Sequence, residues 1–337
     1  MGLLLRLFHR NRTHVSPENA ARIDEAVDRI VAVHPRLKMA NRYRYRLKQP
    51  VAATLQYADQ LMASLPATID ANADAWAGNP SLRAFFATPG DIAQAFGRSE
   101  EVRAFFAQHP GAADVYGTLG MAMTERHVLG VEQDGDAVRH DVAQITLCFG
   151  DHRIRMCGET DSALRDEIVR RLIDQMALEG LSMLAASRAQ HLARGRELMQ
   201  ERVALLHRQG TGISSVVGGG AAVEADELAR VQTQIAQNAE SLAALRVPTD
   251  IIELELKGIC DVLAKPNDYV YIRNRRIRID MMNVIQEGGS KRGSEIEFHF
   301  ARVPGVTPEM RAFALVRFDR LDLPPGGLQI DAAMRAL

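Results

Sequence analysis

The chain has 337 residues, 47% of them apolar and 25% charged, with 5% aromatics and a single Trp, Trp76. This balance excludes wholesale disorder and leaves room for two or three domains with aliphatic, Ala-rich cores. The net charge of −1 is unevenly placed: residues 1–48 hold eleven Arg or Lys against four acids, +7, so the remainder carries −8. Such asymmetry points either to an anionic partner for the N-terminal part or to its docking on the acidic remainder of the same chain.

Residues 1–12 have the spacing of a short amphipathic helix, with Leu3, Leu4, Leu7 and Phe8 on one side and Arg6, Arg10 and Arg12 on the other. That pattern suits the surface of an anionic membrane. It is too short and too interrupted for a secretory signal. No window approaches the ~20 apolar residues needed to span a bilayer. Ser16-Pro17-Glu18 then opens a helix with a cap, a proline and an acid in the first turn, and the stripe Ile23, Val27, Ile30, Val31 runs to His34-Pro35. A second helix is expected over 37–65. Its start carries the basic cluster Arg36, Lys38, Arg42, Arg44, Arg46 and Lys48. Like charges four apart on one helix repel, which favours an anionic partner or internal pairing.

Between 79 and 117 a unit of about twenty residues is duplicated: Ser81-Leu82-Arg83-Ala84-Phe85-Phe86-Ala87 recurs as Glu101-Val102-Arg103-Ala104-Phe105-Phe106-Ala107. Two copies are too few for a solenoid and read as a helix pair with buried Phe-Phe faces. The period then changes to two. A strand near 126–132, turned at Asp134-Gly135, precedes a hairpin of 143–149 and 152–158 around Gly150-Asp151. That register puts Ile145, Leu147, Phe149, Ile154 and Met156 on an apolar face, with Cys148 and Cys157 on the other, about 13 Å apart at ~3.3 Å per residue. This distance separates them too far for a disulfide or a shared zinc. Three cysteines, Cys148, Cys157 and Cys260, fit a reducing cytoplasm.

Residues 159–246 read as a helical hairpin broken by Gly210, Gly212 and Gly218 to Gly220. Its second arm carries the seam Leu228, Val231, Ile235, Asn238, Leu242 and Leu245, whose steps of 3 and 4 keep one stripe toward a partner helix; Asn238 would set the register. The expected partners on the first arm are Leu178, Leu181, Ala185, Leu192, Met199 and Leu206. The glycines follow a helix and lack the lysine of a phosphate loop. A short helix over 250–264 and strands near 269–273, 276–283, 295–303 and 312–319 complete the chain. The first two of these strands are expected to form a hairpin turned at Asn274-Arg275. Tyr269, Tyr271, Arg273, Arg276 and Arg278 then share one face, a stacking-and-phosphate arrangement suited to single-stranded nucleic acid. Glu295 and Glu297 offer those arginines an alternative as cross-strand pairs.

The expected architecture is therefore mainly α with two small antiparallel sheets (α+β) and a long helical hairpin between them. Its segments are a basic amphipathic stretch 1–15, a helical domain 16–125, a β-meander 126–158, the helical hairpin 159–246 and a C-terminal α+β segment 247–337. No nucleophile elbow, metal-ligand spacing or cofactor motif is present, so no catalytic residue, metal or cofactor is assigned. Three readings follow. The first is a non-enzymatic cytoplasmic interaction or scaffold protein, self-associating as a dimer or joining a protein partner, and peripheral at the inner membrane through residues 1–15. The second is a nucleic-acid-binding protein, and the third an enzyme whose residues leave no local trace.

Overall fold

A computed structural model of the chain describes residues 17–134, 137–210, 221–244, 248–286, 293–305 and 310–325. The helices are α1 (Pro17–Val33), α2 (Tyr43–Ser64), α3 (Ala73–Gly78), α4 (Pro80–Phe85), α5 (Pro89–Arg98), α6 (Glu100–Gln108), α7 (Asp161–Gly210), α8 (Ala221–Ala244), α9 (Pro248–Leu263) and α10 (Pro266–Tyr269). The strands are β1 (Ile69–Asp70), β2 (Asp114–Asp134), β3 (Ala137–Gly158), β4 (Tyr271–Ile279), β5 (Ser294–Arg302) and β6 (Arg311–Asp319). They form two compact units, one drawing on the chain up to Gln56 and on Ile173–Pro266, the other on Tyr57–Leu172 and the residues from Asn267.

The second unit holds one curled antiparallel sheet in the order β3-β2-β6-β5-β4, where two separate sheets were expected. The reason is β6. It pairs with β2 from Asp114↔Asp319 to Met121↔Ala312, and also with β5 at His299↔Phe313 to Ala301↔Arg311. The short β1 adds a parallel pair, Ile69↔Val316.

Gly150-Asp151 is not a turn. β2 and β3 run as one antiparallel ribbon of 21 and 22 residues whose register shifts three times. In each shift two β3 residues stand opposite one of β2, and one residue there is left-handed: Asp141 (φ 59°), Asp151 (φ 49°) or Met156 (φ 55°). These are β-bulges, and each flips the alternation of side chains. Leu147 and Phe149 face the core, then Ile154, then Cys157. The expected face was therefore right for Leu147, Phe149 and Ile154 but wrong for Met156 and Cys157.

The duplicated unit packs onto this sheet. Leu82, Phe85 and Phe86 of the first copy and Val102, Phe105 and Phe106 of the second are buried in one core with Leu119, Met121, Phe298 and Phe318. Asn79 and Ser99 cap the two copies by accepting from Leu82 N and Val102 N. Phe96 stacks on Phe318 with ring centroids 4.2 Å apart, and Phe86 on His152 at 4.6 Å. His152 Nε2 donates to the Phe85 carbonyl (2.9 Å), and burial pushes its pKa below the ordinary histidine value, which keeps the ring neutral in the core.

The first unit is helical. The stripe of α1 is buried as its periodicity dictates: Ile23, Val27, Ile30 and Val31. The helix expected over 37–65 is interrupted. Pro35–Met39 form a 3-10 turn, Arg42 is left-handed (φ 50°), and α2 starts only at Tyr43. Pro50 lies inside α2 and cannot donate to the carbonyl of Arg46. The Cys260 thiol of α9 meets that carbonyl instead, at 3.7 Å, and burial pushes this thiol up to about 11, which keeps it protonated as a donor. Thr54 Oγ1, fully buried, donates to Leu263 O at 2.6 Å and ties the same two helices.

Helices α7 and α9 touch backbone to backbone at two glycines. A Cβ on Gly180 would lie 2.6 Å from Ile259 Cα, and one on Gly258 would lie 2.9 Å from Gly180 O. Gly to Ala inside a helix ordinarily stabilises by about 1 kcal/mol. Here Gly180→Ala should instead destabilise by about 1–3 kcal/mol, since the atoms that must yield are backbone. Denaturant unfolding checks this; a gain in stability would show that α7 and α9 do not meet at this residue.

Candidate interaction surfaces

The α7–α8 hairpin is the longest element with an apolar seam. On α8, Val231 is buried and Leu228, Ile235, Asn238 and Leu242 are half-buried, while Leu245 lies outside the described residues. The amide of Asn238 meets His191 twice: Oδ1 lies 3.1 Å from Nδ1, and Nδ2 donates to the His191 carbonyl at 3.0 Å. A Cβ on Gly195 would sit 3.0 Å from Asn238 Nδ2. A polar residue with its hydrogen bonds made inside an apolar seam disfavours slipped registers. His191 and Gly195 escaped the sequence reading; a glycine in a helix interior, one turn after a histidine, was the available signal.

The α7 side of the seam differs from expectation. Leu198 and Leu205 are buried, and Leu181, Leu184, His191 and Gly195 are half-buried along the same stripe. Of the expected partners only Leu181 belongs to it. Leu178, Leu192 and Met199 are 44%, 42% and 48% exposed, Ala185 is exposed, and the side chain of Leu206 lies outside the described residues. α7 carries two apolar stripes, and spacing alone cannot say which one meets α8.

Three of the six cations of the basic cluster are engaged within its own unit. Arg44 pairs with Asp28, Arg46 with Glu253, and Lys48 with Asp24 at 2.8 Å. Glu253 also accepts from the Asn41 backbone N–H at 2.8 Å. That bond first, and Arg46 second, hold its carboxyl below the usual glutamate range. A depressed carboxylate pKa contributes stability above the unfolded value and loses it as pH falls through the folded one. Arg42 is exposed at the break before α2.

The expected basic-aromatic platform is divided. β4 is one strand with no turn at Asn274-Arg275, paired with β5 from Tyr271↔Arg302 to Ile279↔Ser294. Alternation along a single strand puts Tyr271 and Arg273 on one face and Arg276 and Arg278 on the other. Arg276 meets Glu297 at 3.4 Å and Arg278 meets Glu295 at 3.2 Å, the cross-strand arrangement. The Tyr271 ring has Arg273 over it at 5.0 Å and Arg302 at 5.9 Å. Tyr269 belongs to α10.

Residues 1–16, including Leu3, Leu4, Arg6, Leu7, Phe8 and Arg10, and the glycines from Gly212 to Gly220 lie outside the described residues. No described helix is long and apolar enough to cross a membrane. Among the described residues no group of three His, Cys, Asp or Glu could hold a metal ion. Burial first, and Glu101 second, push the Cys157 thiol up to about 12. At neutral pH it is the protonated, unreactive form.

The pairing of Arg46 predicts the outcome of reversing its charge. Arg46→Glu should lower stability by about 1 kcal/mol in thermal or chemical unfolding, with a smaller loss at high salt. Unchanged stability together with lost retention on heparin or anionic vesicles would instead assign Arg46 to an external anion.

No protein-family model matches the chain, and no curated protein and no solved structure matches it either.

Proposed function

We propose that this chain is a non-enzymatic interaction protein that self-associates through the outer face of α7. One observation supports the reading above the rest. α7 has 50 residues, its inner stripe is occupied by the α8 seam, and a second stripe remains on the surface. Leu178, Leu192, Met199 and Val203 on that stripe are 42–50% exposed, with Ala185 and Ala189 exposed between them. Twenty-five residues of helix extend about 38 Å at 1.5 Å per residue. Six of the eight positions on this strip are apolar, with only Ser182 and Arg196 polar between them, and an exposed apolar strip of that length is uncommon on a monomer's surface. Small residues in its middle let a second helix approach closely, and pairing the stripe with its own copy about a two-fold axis satisfies both strips at once. In this reading the protein works in the cytoplasm, and Leu3, Leu4, Leu7 and Phe8 with Arg6 and Arg10 are the part that would meet an anionic membrane.

The test is the mass of the particle in solution. Size-exclusion chromatography with light scattering should give a dimer for the parent chain and a monomer for Leu192→Glu/Met199→Glu, which should keep the parent's helical circular dichroism, since surface substitutions ordinarily disturb the fold little. A parent chain that stays monomeric at high micromolar concentration would overturn the proposal.

A further inference from the structure

A cavity of about 450 Å³ lies on the outer face of the curled sheet, the face opposite its aromatic core. Its wall is apolar, with Met62 from α2, Leu65 directly after it, Leu172 from α7, and Ile272, Phe313 and Leu315 from the sheet. Gly120 is in its floor, paired with Arg153 of β3 on one side and Phe313 of β6 on the other. A Cβ there would meet nothing closer than Arg153 O at 3.7 Å, so the floor is open where a side chain would stand. The volume falls in the range of small-molecule sites, ~300–1,000 Å³.

The charged part of the lining is cationic. Arg153, Arg155 and Arg311 all border the cavity. Asp151 accepts from Arg153 Nε and Arg311 Nη2, both at 2.9 Å, and Glu101 accepts from Arg155 Nη1 at 2.8 Å. Three guanidiniums thus stand against two carboxylates, and each carries five donors in a fork suited to a carboxylate. Arg155 and Arg153 follow the bulge at Asp151 and precede the one at Met156, so the same irregularities that bend the strand bring them to this face.

We propose that the cavity binds a single-chain amphiphile with a carboxylate head, its tail against the apolar wall and its head among the three arginines. The proposal is independent of self-association through α7. Apolar contact selects a chain, and a surplus cation selects an anionic head over a neutral or cationic one.

Isothermal titration with decanoate, below its micellar concentration, should give one site per chain. Octanoate should bind on the order of tenfold weaker, because each buried methylene contributes about fourfold. Decanol and decylamine should bind more weakly than decanoate. Gly120→Val and Ala301→Leu both place bulk in the cavity. Each should melt at or above the parent temperature and lose decanoate binding at least tenfold; if one fails to fold, the other decides. The proposal is overturned if decanoate does not bind at millimolar concentration, if decylamine binds as well as decanoate, or if the folded filling variants bind like the parent.

Discussion

At Asp141, Asp151 and Met156 the backbone of β3 turns left-handed, and there two residues of β3 face one of β2. A ribbon of this length without bulges would keep one face throughout and twist evenly. Bent three times, it curls until its far edge meets the other end of the sheet. Leu147 N donates to Asn283 O at 2.9 Å and Ile285 N to Ile145 O at 2.8 Å, so the segment after β4 bonds to β3. A left-handed residue other than glycine costs roughly 1–2 kcal/mol. Aspartate tolerates the conformation better than methionine does. At Met156 the surroundings hold it: its N–H donates to Glu101 Oε2 at 3.0 Å, while Glu101 Oε1 takes Arg155. Asp151 is held likewise, since its carboxylate pairs with Arg153 and Arg311, and the Arg153 hydrogen bond chiefly lowers its pKa.

The bend gives the sheet two faces of different use. The inner one is filled by phenylalanines from the duplicated helices, packed in stacked and edge-on pairs such as Phe96–Phe318 and Phe85–Phe149. On the outer face small residues, Gly120 and Ala301, alternate with those core positions, and a cavity remains. In the helical unit the constraint is of another kind. Gly180 and Gly258 let two helices meet at backbone distance, and Asn238 fixes how α8 lies on α7.

Much of the local structure is legible in the sequence, and the reasons are local. The Pro17-Glu18 opening, the stripe of α1, the buried Phe-Phe faces of the duplicated unit and the strands expected near 295–303 and 312–319 each depend on neighbours close in sequence. What misleads is ambiguity over longer range. Gly150-Asp151 has the composition of a two-residue turn, and a turn and a bulge flip the alternation alike. Ile145 to Ile154 therefore seemed consistent with a hairpin that does not form. Asn274-Arg275 misled in the same way, because Ile272 and Ile277 lie on opposite faces of one strand. The unity of the sheet was not readable at all, since it rests on β6 accepting β2 and β5, strands far apart in sequence. The choice between the two stripes of α7 is likewise made by α8, and Arg44, Arg46 and Lys48 looked surplus only because Asp24, Asp28 and Glu253 lie on other helices.

The continuous, bulged ribbon is the central claim, and a cross-strand disulfide tests it most directly. Thr124 and Cys148 are paired positions of β2 and β3. Partners of this kind have Cα atoms about 4.5–5.5 Å apart, within the reach of a disulfide. Under mild oxidation Thr124→Cys should crosslink to Cys148, seen as a disulfide-linked peptide by mass spectrometry. Were 150–151 a turn, Cys148 would face Arg153 instead. A crosslink formed by Arg153→Cys and not by Thr124→Cys would contradict the ribbon and the curled sheet built on it.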